Sequence, residues 1–150
     1  MRLARLNPGF VVMSPVQGLS KGVHDGKTCI LNSLTGSVIT LPPATGSGCR
    51  LRFVSTVAAT SGSTIIKVQN TIDVLIGSAQ ISIAAGGALS GFQASPTIAG
   101  ADTLTLNRTS SGGAVAGEII EMEDVLAGFW AIEAILNGTA APATPFSSTV

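Results

Sequence analysis

Aromatic and charged residues are both scarce in this chain of 150 residues. Aromatic side chains make up 4% of it, with one tryptophan and no tyrosine, and charged residues make up 11%. Ligand pockets depend on aromatic and apolar walls around a few polar groups, and sugar rings stack on aromatic side chains, so this composition counts against a carbohydrate site. Eight basic and eight acidic residues cancel, so the net charge does not suggest nucleic acid or an anionic membrane as a partner.

Long hydrophobic runs are absent as well. Gly, Ser, Thr or Asn interrupts every apolar segment before it reaches the ~18–20 residues that a membrane span needs. The apolar segment near the start, Phe10–Met13, is too short for the hydrophobic region of a signal peptide. We therefore expect a protein of the cytoplasm, or of a particle assembled there. Because disulfides are rare in the cytoplasm, we expect Cys29 and Cys49 to remain free and to act as small buried hydrophobic residues.

The residues that are abundant are small and apolar. Hydrophobic residues make up 45% of the chain, so we expect some apolar surface to be buried against another molecule. The charges are also unevenly distributed, because residues 1–67 carry seven Lys/Arg against Asp25, whereas residues 68–150 carry Arg108 against seven Asp/Glu. The two halves should attract each other, either through strand pairing within one chain or between copies.

Alternating apolar and polar residues recur along the chain and predict short strands. Leu51 and Phe53 share one face, for example, and Arg50 and Arg52 share the other. Glycine- and serine-rich turns separate the candidate segments, which are Phe10–Met13, Thr28–Asn32, Val38–Leu41, Leu51–Phe53, Thr64–Gln69, Ile72–Ile76, Gln80–Ala84, Leu104–Leu106, Glu118–Glu123 and Phe129–Leu136. About ten short antiparallel strands predict an all-β fold, a single β-sandwich or barrel-like domain.

Two features of the organisation need separate interpretation. Residues 124–136 suit either an Asp-capped helix or a strand, and we interpret them as a hairpin with Glu118–Glu123 because Gly128 interrupts the helical pattern. Both ends contain several prolines and little alternation. We therefore expect an extended N-terminal arm over residues 1–20, a β domain over 21–136 and an extended tail over 137–150.

Candidate sites for chemistry are weak. The segment GVHDGKT resembles a phosphate-binding loop, but only three residues separate Gly22 from Gly26 where four are needed, and it leads into a strand. His24 has no triad partners. His24, Cys29 and Cys49 lack the spacing of a metal site. We predict no catalytic, cofactor-binding or metal-binding residues.

Four carboxylates lie close together in sequence, at Glu118, Glu121, Glu123 and Asp124. In a strand, Glu121 and Glu123 share one face and the other two share the opposite face, so a carboxylate pair for glycoside hydrolysis is one alternative. A solvated edge, or an electrostatic contact with the basic half of the chain, is the alternative that we favour. The aromatic walls of a sugar cleft are missing.

Taken in order, several segments resemble one family of viral proteins. The segments are LPPATGSG (residues 41–48), TLTLNRT (residues 103–109) and EDVLAGFWAI (residues 123–132), and the likeness covers residues 26–150. The chain resembles the decoration or cement proteins of tailed bacteriophages, auxiliary head proteins that clamp the outside of the capsid. In this interpretation LPPATGSG is a strand end, a rigid proline kink and a tight turn that serve shape rather than chemistry.

The resemblance implies a β-rich structural virion protein on the outer capsid surface, without enzymatic activity or cofactors. Its implied partners are the major capsid protein and two further copies of itself, with no nucleic acid and no membrane. We expect the contacts to involve the arms and the basic strand: Arg2, Leu3, Arg5, Leu6, Phe10, Val11, Val12, Arg50, Arg52 and Phe146. A receptor-binding or tail-fibre module is one alternative function, and a hydrolase using the carboxylates of residues 118–124 is another.

Overall fold

The computed structural model describes residues 9–83, 86–95 and 100–150. Within these residues the regular secondary structure is almost entirely β-strand, with a single four-residue helix, α1 (Lys21–His24). The strands are β1 (Phe10–Val12), β2 (Val16–Gly18), β3 (Thr28–Leu31), β4 (Ser37–Thr40), β5 (Arg50–Ser55), β6 (Thr64–Lys67), β7 (Val74–Ile83), β8 (Leu89–Ala94), β9 (Thr103–Leu106), β10 (Ile119–Leu126), β11 (Phe129–Gly138) and β12 (Phe146–Ser147).

The strands form two mixed sheets. The larger has seven strands in the order β1-β3-β5-β10-β11-β7-β8, and the smaller has five in the order β12-β9-β6-β4-β2. Period-two alternation explains why these segments are strands: in β5 the odd-numbered residues from Leu51 to Ser55 are buried and the even-numbered ones are not. The same alternation buries the even-numbered residues of β10 from Ile120 to Asp124. The all-β prediction is confirmed.

The prediction of antiparallel strands is wrong for much of the fold. Parallel ladders join β1 to β3, β3 to β5, β2 to β4, β4 to β6 and β11 to β7. The reason lies in the path of the chain, which alternates between the sheets from β1 to β7. For the first four of these ladders, neighbouring strands are therefore two apart in chain order and run in the same direction, because a crossover through the other sheet separates them. The β11–β7 ladder is also parallel, but its strands are four apart in chain order.

The positions of the strands were predicted more accurately than the residues at which they begin and end. The β10–β11 hairpin is confirmed, with Ile120 opposite Ala134 and a bulge beside Leu126. The two segments predicted at 72–76 and 80–84 overlap a single strand, β7, whose ten residues run beside the equally long β11; residue 84 lies outside the described residues. Three strands were not predicted, namely β2, β8 and β12, and each lies at a sheet edge, where one partner strand suffices and alternation is weak.

The structure also differs from the expectation of extended arms. Residues 10–12 and 16–18 form edge strands β1 and β2, one in each sheet, and Met13 and Leu19 are buried beside them. At the other end β12 pairs with β9, and the Asp102 carboxylate accepts hydrogen bonds from the backbone N–H groups of Thr149 and Val150. Prolines did not prevent this pairing because Pro15 lies between two strands rather than within one. Residues 1–8 lie outside the described residues.

The core is one cluster of apolar side chains contributed by both sheets. Its largest fully buried members include Trp130, Phe53, Leu75 and Leu104. The Trp130 indole N–H donates to the Pro42 carbonyl oxygen at 3.2 Å, so the polar edge of the ring is satisfied inside the core. Among the described residues no helix has the length and apolarity to span a bilayer.

Candidate interaction surface

The LPPATGSG segment wraps its backbone around a buried carboxylate. The backbone N–H groups of Thr45, Gly46 and Ser47 donate to Asp124 at 2.7–3.1 Å, and the Ser47 hydroxyl donates at 2.6 Å. The Lys21 ammonium completes the shell at 2.6 Å. Successive N–H groups that converge on one point form an anion site, and here the protein's own Asp124 fills it. The prediction that this segment serves shape agrees with its contacts.

The electrostatic balance at Asp124 favours the charged form. Burial alone raises the pKa of this carboxyl group, but the hydrogen bonds from Lys21, Ser47 and Thr45 outweigh that effect and hold the pKa well below its usual range. Asp124 is therefore an ionised structural anchor that joins the turn after β4 to strand β10.

Glu118 is a second buried carboxylate, but it lacks a cation partner among the described residues. Its side chain is 1% exposed and accepts hydrogen bonds from the backbone N–H groups of Gly113 and Asn137 at 2.7–2.9 Å. Burial raises the pKa of Glu118 to about 6, against the opposing effect of these two N–H groups. Glu118 fastens the loop before β10 to the end of β11.

The other two carboxylates of the cluster form exposed ion pairs with the basic strand. Glu123 lies 3.1 Å from Arg50, and Glu121 lies 3.3 Å from Arg52, because β10 pairs with β5 in that register. The predicted division of the four carboxylates between two faces is confirmed. The ion pairs join the basic half of the chain to the acidic half, as expected for strand pairing within one chain. A glycosidase arrangement finds no support here, because each of the four carboxylates is committed to another contact.

The segment that resembled a phosphate loop is a turn. Its first three residues belong to α1 (Lys21–His24), Gly26 adopts a positive φ of 73°, and Thr28 begins strand β3 rather than a helix. His24 is buried, and its Nδ1 atom lies 3.1 Å from the Ser20 backbone N–H group. Both observations agree with structural roles for this segment.

The outward face of the seven-stranded sheet carries a row of apolar side chains. The ladder registers place Val12, Ile30, Val54, Ile119 and Ile135 side by side across five neighbouring strands. Val12 is 52% exposed and Ile135 is 54% exposed. With neighbouring strands about 4.8 Å apart, the row is about 19 Å wide. Phe10, 73% exposed on the edge strand β1, stands beside it on the same face.

A charged row runs next to the apolar row. It places Arg52, Glu121 and Glu133 opposite one another on β5, β10 and β11. Between this row and the strand ends lies a shallow groove of about 540 Å³, whose walls include Arg50, Ala131 and Ile76. The face therefore combines an apolar band with charges of both signs.

The predicted contact residues divide into three groups. Arg50, Arg52, Phe10 and Val12 lie on this outward face, and the structure brings them together. Val11 and Phe146 instead pack against the core. Arg2, Leu3, Arg5 and Leu6 lie outside the described residues.

Sequence reasoning missed the centre of this face. Ile30, Ile119, Glu133 and Ile135 were assigned only to strands, and Val54 was assigned to no element. Their signal was present in the adjacent apolar pair Ile119-Ile120 and the run Ala134–Leu136, because strands that are apolar on both sides have two faces to bury.

Cys29 and Cys49 are both free and buried, as predicted. Burial raises the pKa of Cys29 to about 11, and burial together with the Asp25 carboxylate raises the pKa of Cys49 to about 12. The part of the chain that the structure describes contains no group of three His, Cys, Asp or Glu side chains placed to hold a metal ion.

Comparisons with known proteins gave no relatives: no family model, no curated protein and no solved structure matches the chain.

Proposed function

We propose that this protein is a structural component of a tailed-phage virion that binds the outer capsid surface and stabilises the shell, acting as a homotrimer. The observation that carries the proposal is the apolar row on the outward sheet face, with Ile135 more than half exposed at the middle of a sheet. Monomeric soluble proteins rarely expose a contiguous apolar band of this kind, which is typical of a surface that meets another protein. The resemblance of residues 26–150 to phage decoration proteins supplies the class of partner.

The fold suits a mechanical role. We infer that the two sheets pack face to face as a β-sandwich, since each is apolar on its inner side and both contribute to one core. The ionised Asp124 anchor and the buried Glu118 anchor fasten loops to that core. A rigid domain of this kind transmits load between shell subunits without yielding locally.

Stabilisation of the shell then follows from multivalency. A trimer contacts several capsid subunits at once. After the first contact has formed, each further contact is intramolecular, so all of them must break together before the shell opens. The N-terminal residues Arg2, Leu3, Arg5 and Leu6, which precede strand β1 in the sequence, are the proposed capsid contact. The proposed partner is the major capsid protein, met during assembly in the host cytoplasm.

The experiment is titration of the purified protein onto undecorated capsids, followed by measurement of the temperature at which the shells open. We expect saturable binding and a higher opening temperature. A variant lacking residues 1–8 retains every described strand and serves as the test of the arm. Burying one leucine contributes about 1.5–3 kcal/mol, so we expect its affinity to fall at least about tenfold.

Two alternative functions predict different outcomes. A receptor-binding or fibre module binds host cells and leaves capsids undecorated, and a hydrolase turns over a substrate. Absence of capsid binding by the full-length protein, under conditions in which it is folded, would remove the basis of the proposal.

A further inference from the structure

We propose that copies of this chain associate through the outward face of the seven-stranded sheet, with Arg52 of one copy pairing with Glu133 of its neighbour. This inference deepens the proposed function and rests on its trimer, for which it names the surface. The occupant is therefore a second copy of the chain, and the following observations select it.

The first observation is where the exposed apolar residues lie. Ile119 and Ile135 are opposite each other on β10 and β11, which are paired on both sides within the sheet. Ile135 is 54% exposed and Ile119 is half-buried, so both stand in the interior of the face and neither is fully covered by its neighbours on the sheet. Only a molecule lying across the face can remove them from water.

The second observation is an unbalanced charge. Glu133 lies directly opposite Glu121 on the neighbouring strand, and like charges in that position destabilise a sheet. Arg52 is 3.3 Å from Glu121, whereas Glu133 has no ion pair among the described residues. The face thus lacks one cation beside Glu133, and a neighbouring copy has a suitable one in Arg52.

The third observation is the symmetry of the strand order. Strand β10 is the middle strand of the seven, with β5 on one side and β11 on the other. A rotation axis that runs parallel to the strands in front of β10 turns the β5 side of one copy toward the β11 side of the next. Such an axis preserves height along the strands, so Arg52 meets the neighbour's Glu133 and Val54 meets its Ile135.

The pairing of Arg52 with the neighbour's Glu133 follows for a twofold or a threefold axis, because both axes bring the β5 side of one copy against the β11 side of the next. Sheets that pack face to face are rotated by about 30°, but β5 and β11 lie only about 5 Å from the middle strand. The rotation therefore shifts these contacts little.

The size of the face is adequate for a stable contact. Seven strands with about 4.8 Å spacing and about eight residues in the middle strand give an area of about 800 Å². A standard protein interface buries about 800 Å² on each partner. In a trimer each copy divides this area between two neighbours.

The test is a charge swap measured by sedimentation over a range of protein concentrations. Glu133→Arg is the more informative single variant, because it places an arginine opposite Glu121 and so removes the like-charge pair within one copy. We expect it to fold at least as well as the wild type, while its arginine meets the neighbour's Arg52 and raises the dissociation constant at least about tenfold. Arg52→Glu should have the same effect on association.

The double variant R52E/E133R restores opposite charges across the contact, and we expect its dissociation constant to return to within about threefold of the wild-type value. Lys67→Glu is the matched control for Arg52→Glu, since it makes the same change of charge on the five-stranded sheet, and it should leave association unchanged. Circular dichroism and thermal unfolding of each variant separate loss of association from loss of folding.

The outcomes distinguish this inference from the proposed function. A wild-type protein that remains monomeric overturns the inference, and if it still binds capsids the proposed function survives. Single variants that associate normally, or a double variant that does not recover, also overturn it. An oligomer that the single variants break and the double variant restores supports it, and its mass gives the number of copies.

Discussion

Replacement of Asp124 by asparagine tests whether the carboxylate holds the LPPATGSG turn in place. The substitution keeps the shape of the side chain, but it removes the charge and places an amide NH₂ group among donors. The wild-type carboxylate accepts from three backbone N–H groups, the Ser47 hydroxyl and the Lys21 ammonium at 2.6–3.1 Å, and from the Thr45 hydroxyl at 3.4 Å. No neutral amide can accept from all of them.

The magnitude follows from these contacts. A hydrogen bond to a charged group contributes about 1.5–3 kcal/mol, and breaking a buried ion pair by removing one partner costs about 3–5 kcal/mol. The residues that donate, Thr45, Gly46 and Ser47, are exposed, so water replaces part of what is lost. We therefore expect Asp124→Asn to lower the free energy of unfolding by about 3–4 kcal/mol, a large part of the 5–15 kcal/mol of a typical domain.

Urea unfolding at neutral pH measures this change, and thermal unfolding should show a midpoint lower by about 6–16 °C. Glu123→Gln is the control, because it neutralises the adjacent carboxylate in an exposed pair with Arg50, where the expected cost is below about 1 kcal/mol. The folded-state pKa of Asp124 lies below its ordinary value of 3.8. Its stabilisation is therefore complete above that value and is lost as the pH falls below it, so the two proteins should converge in acid. A loss below about 1 kcal/mol at neutral pH would refute the role assigned to the carboxylate.

Two further predictions concern buried groups. The pKa of Glu118 is raised from 4.5 to about 6, so its ionisation disfavours the folded state as the pH rises through that window. The free energy of unfolding of the wild type should fall by about 2 kcal/mol between pH 4.5 and 7. If urea unfolding gives the same dependence of this free energy on pH for Glu118→Gln, the prediction is contradicted. Cys29 and Cys49 are buried, and their pKa values are raised to about 11 and 12. A thiol reagent at pH 8 should therefore label them at least about a hundredfold more slowly in the folded protein than in the protein unfolded by guanidinium. Rapid labelling of the folded protein would show that the thiols are accessible.

The local structure was predictable because its causes are local. Alternation in segments such as Arg50–Phe53 located the strands, and glycines located turns that need positive φ, as at Gly36 and Gly112. The hairpin of β10 and β11 followed from Gly128 and the β-branched residues around it. The separation of charge predicted attraction between the two halves of the chain, and the Arg52–Glu121 pair is one instance of it, although the sequence did not identify these partners.

The order of strands was not predictable because it depends on which sheet the chain enters after each turn. Nothing in the alternation of residues 28–40 indicates that β3 and β4 belong to different sheets. The Asp124 cradle was hidden for a similar reason, since 79 residues separate the carboxylate from Thr45. Contacts between distant segments carry no short-range pattern, so only the fold reveals them.

The division of charge on the outward face bears on how an apolar surface avoids uncontrolled aggregation. A row of exposed valine and isoleucine alone attracts any other apolar surface in any register, because the hydrophobic effect has no direction. Each of these side chains contributes about 1.5–3 kcal/mol when fully buried, so the face would be adhesive. The adjacent row of Arg52, Glu121 and Glu133 opposes most registers by placing like charges together. The closed symmetric assembly proposed above would bury the apolar row while Glu133 pairs with a cation of the neighbouring copy. Because only 11% of the residues in the chain are charged, these three side chains strongly affect which register of association is favoured.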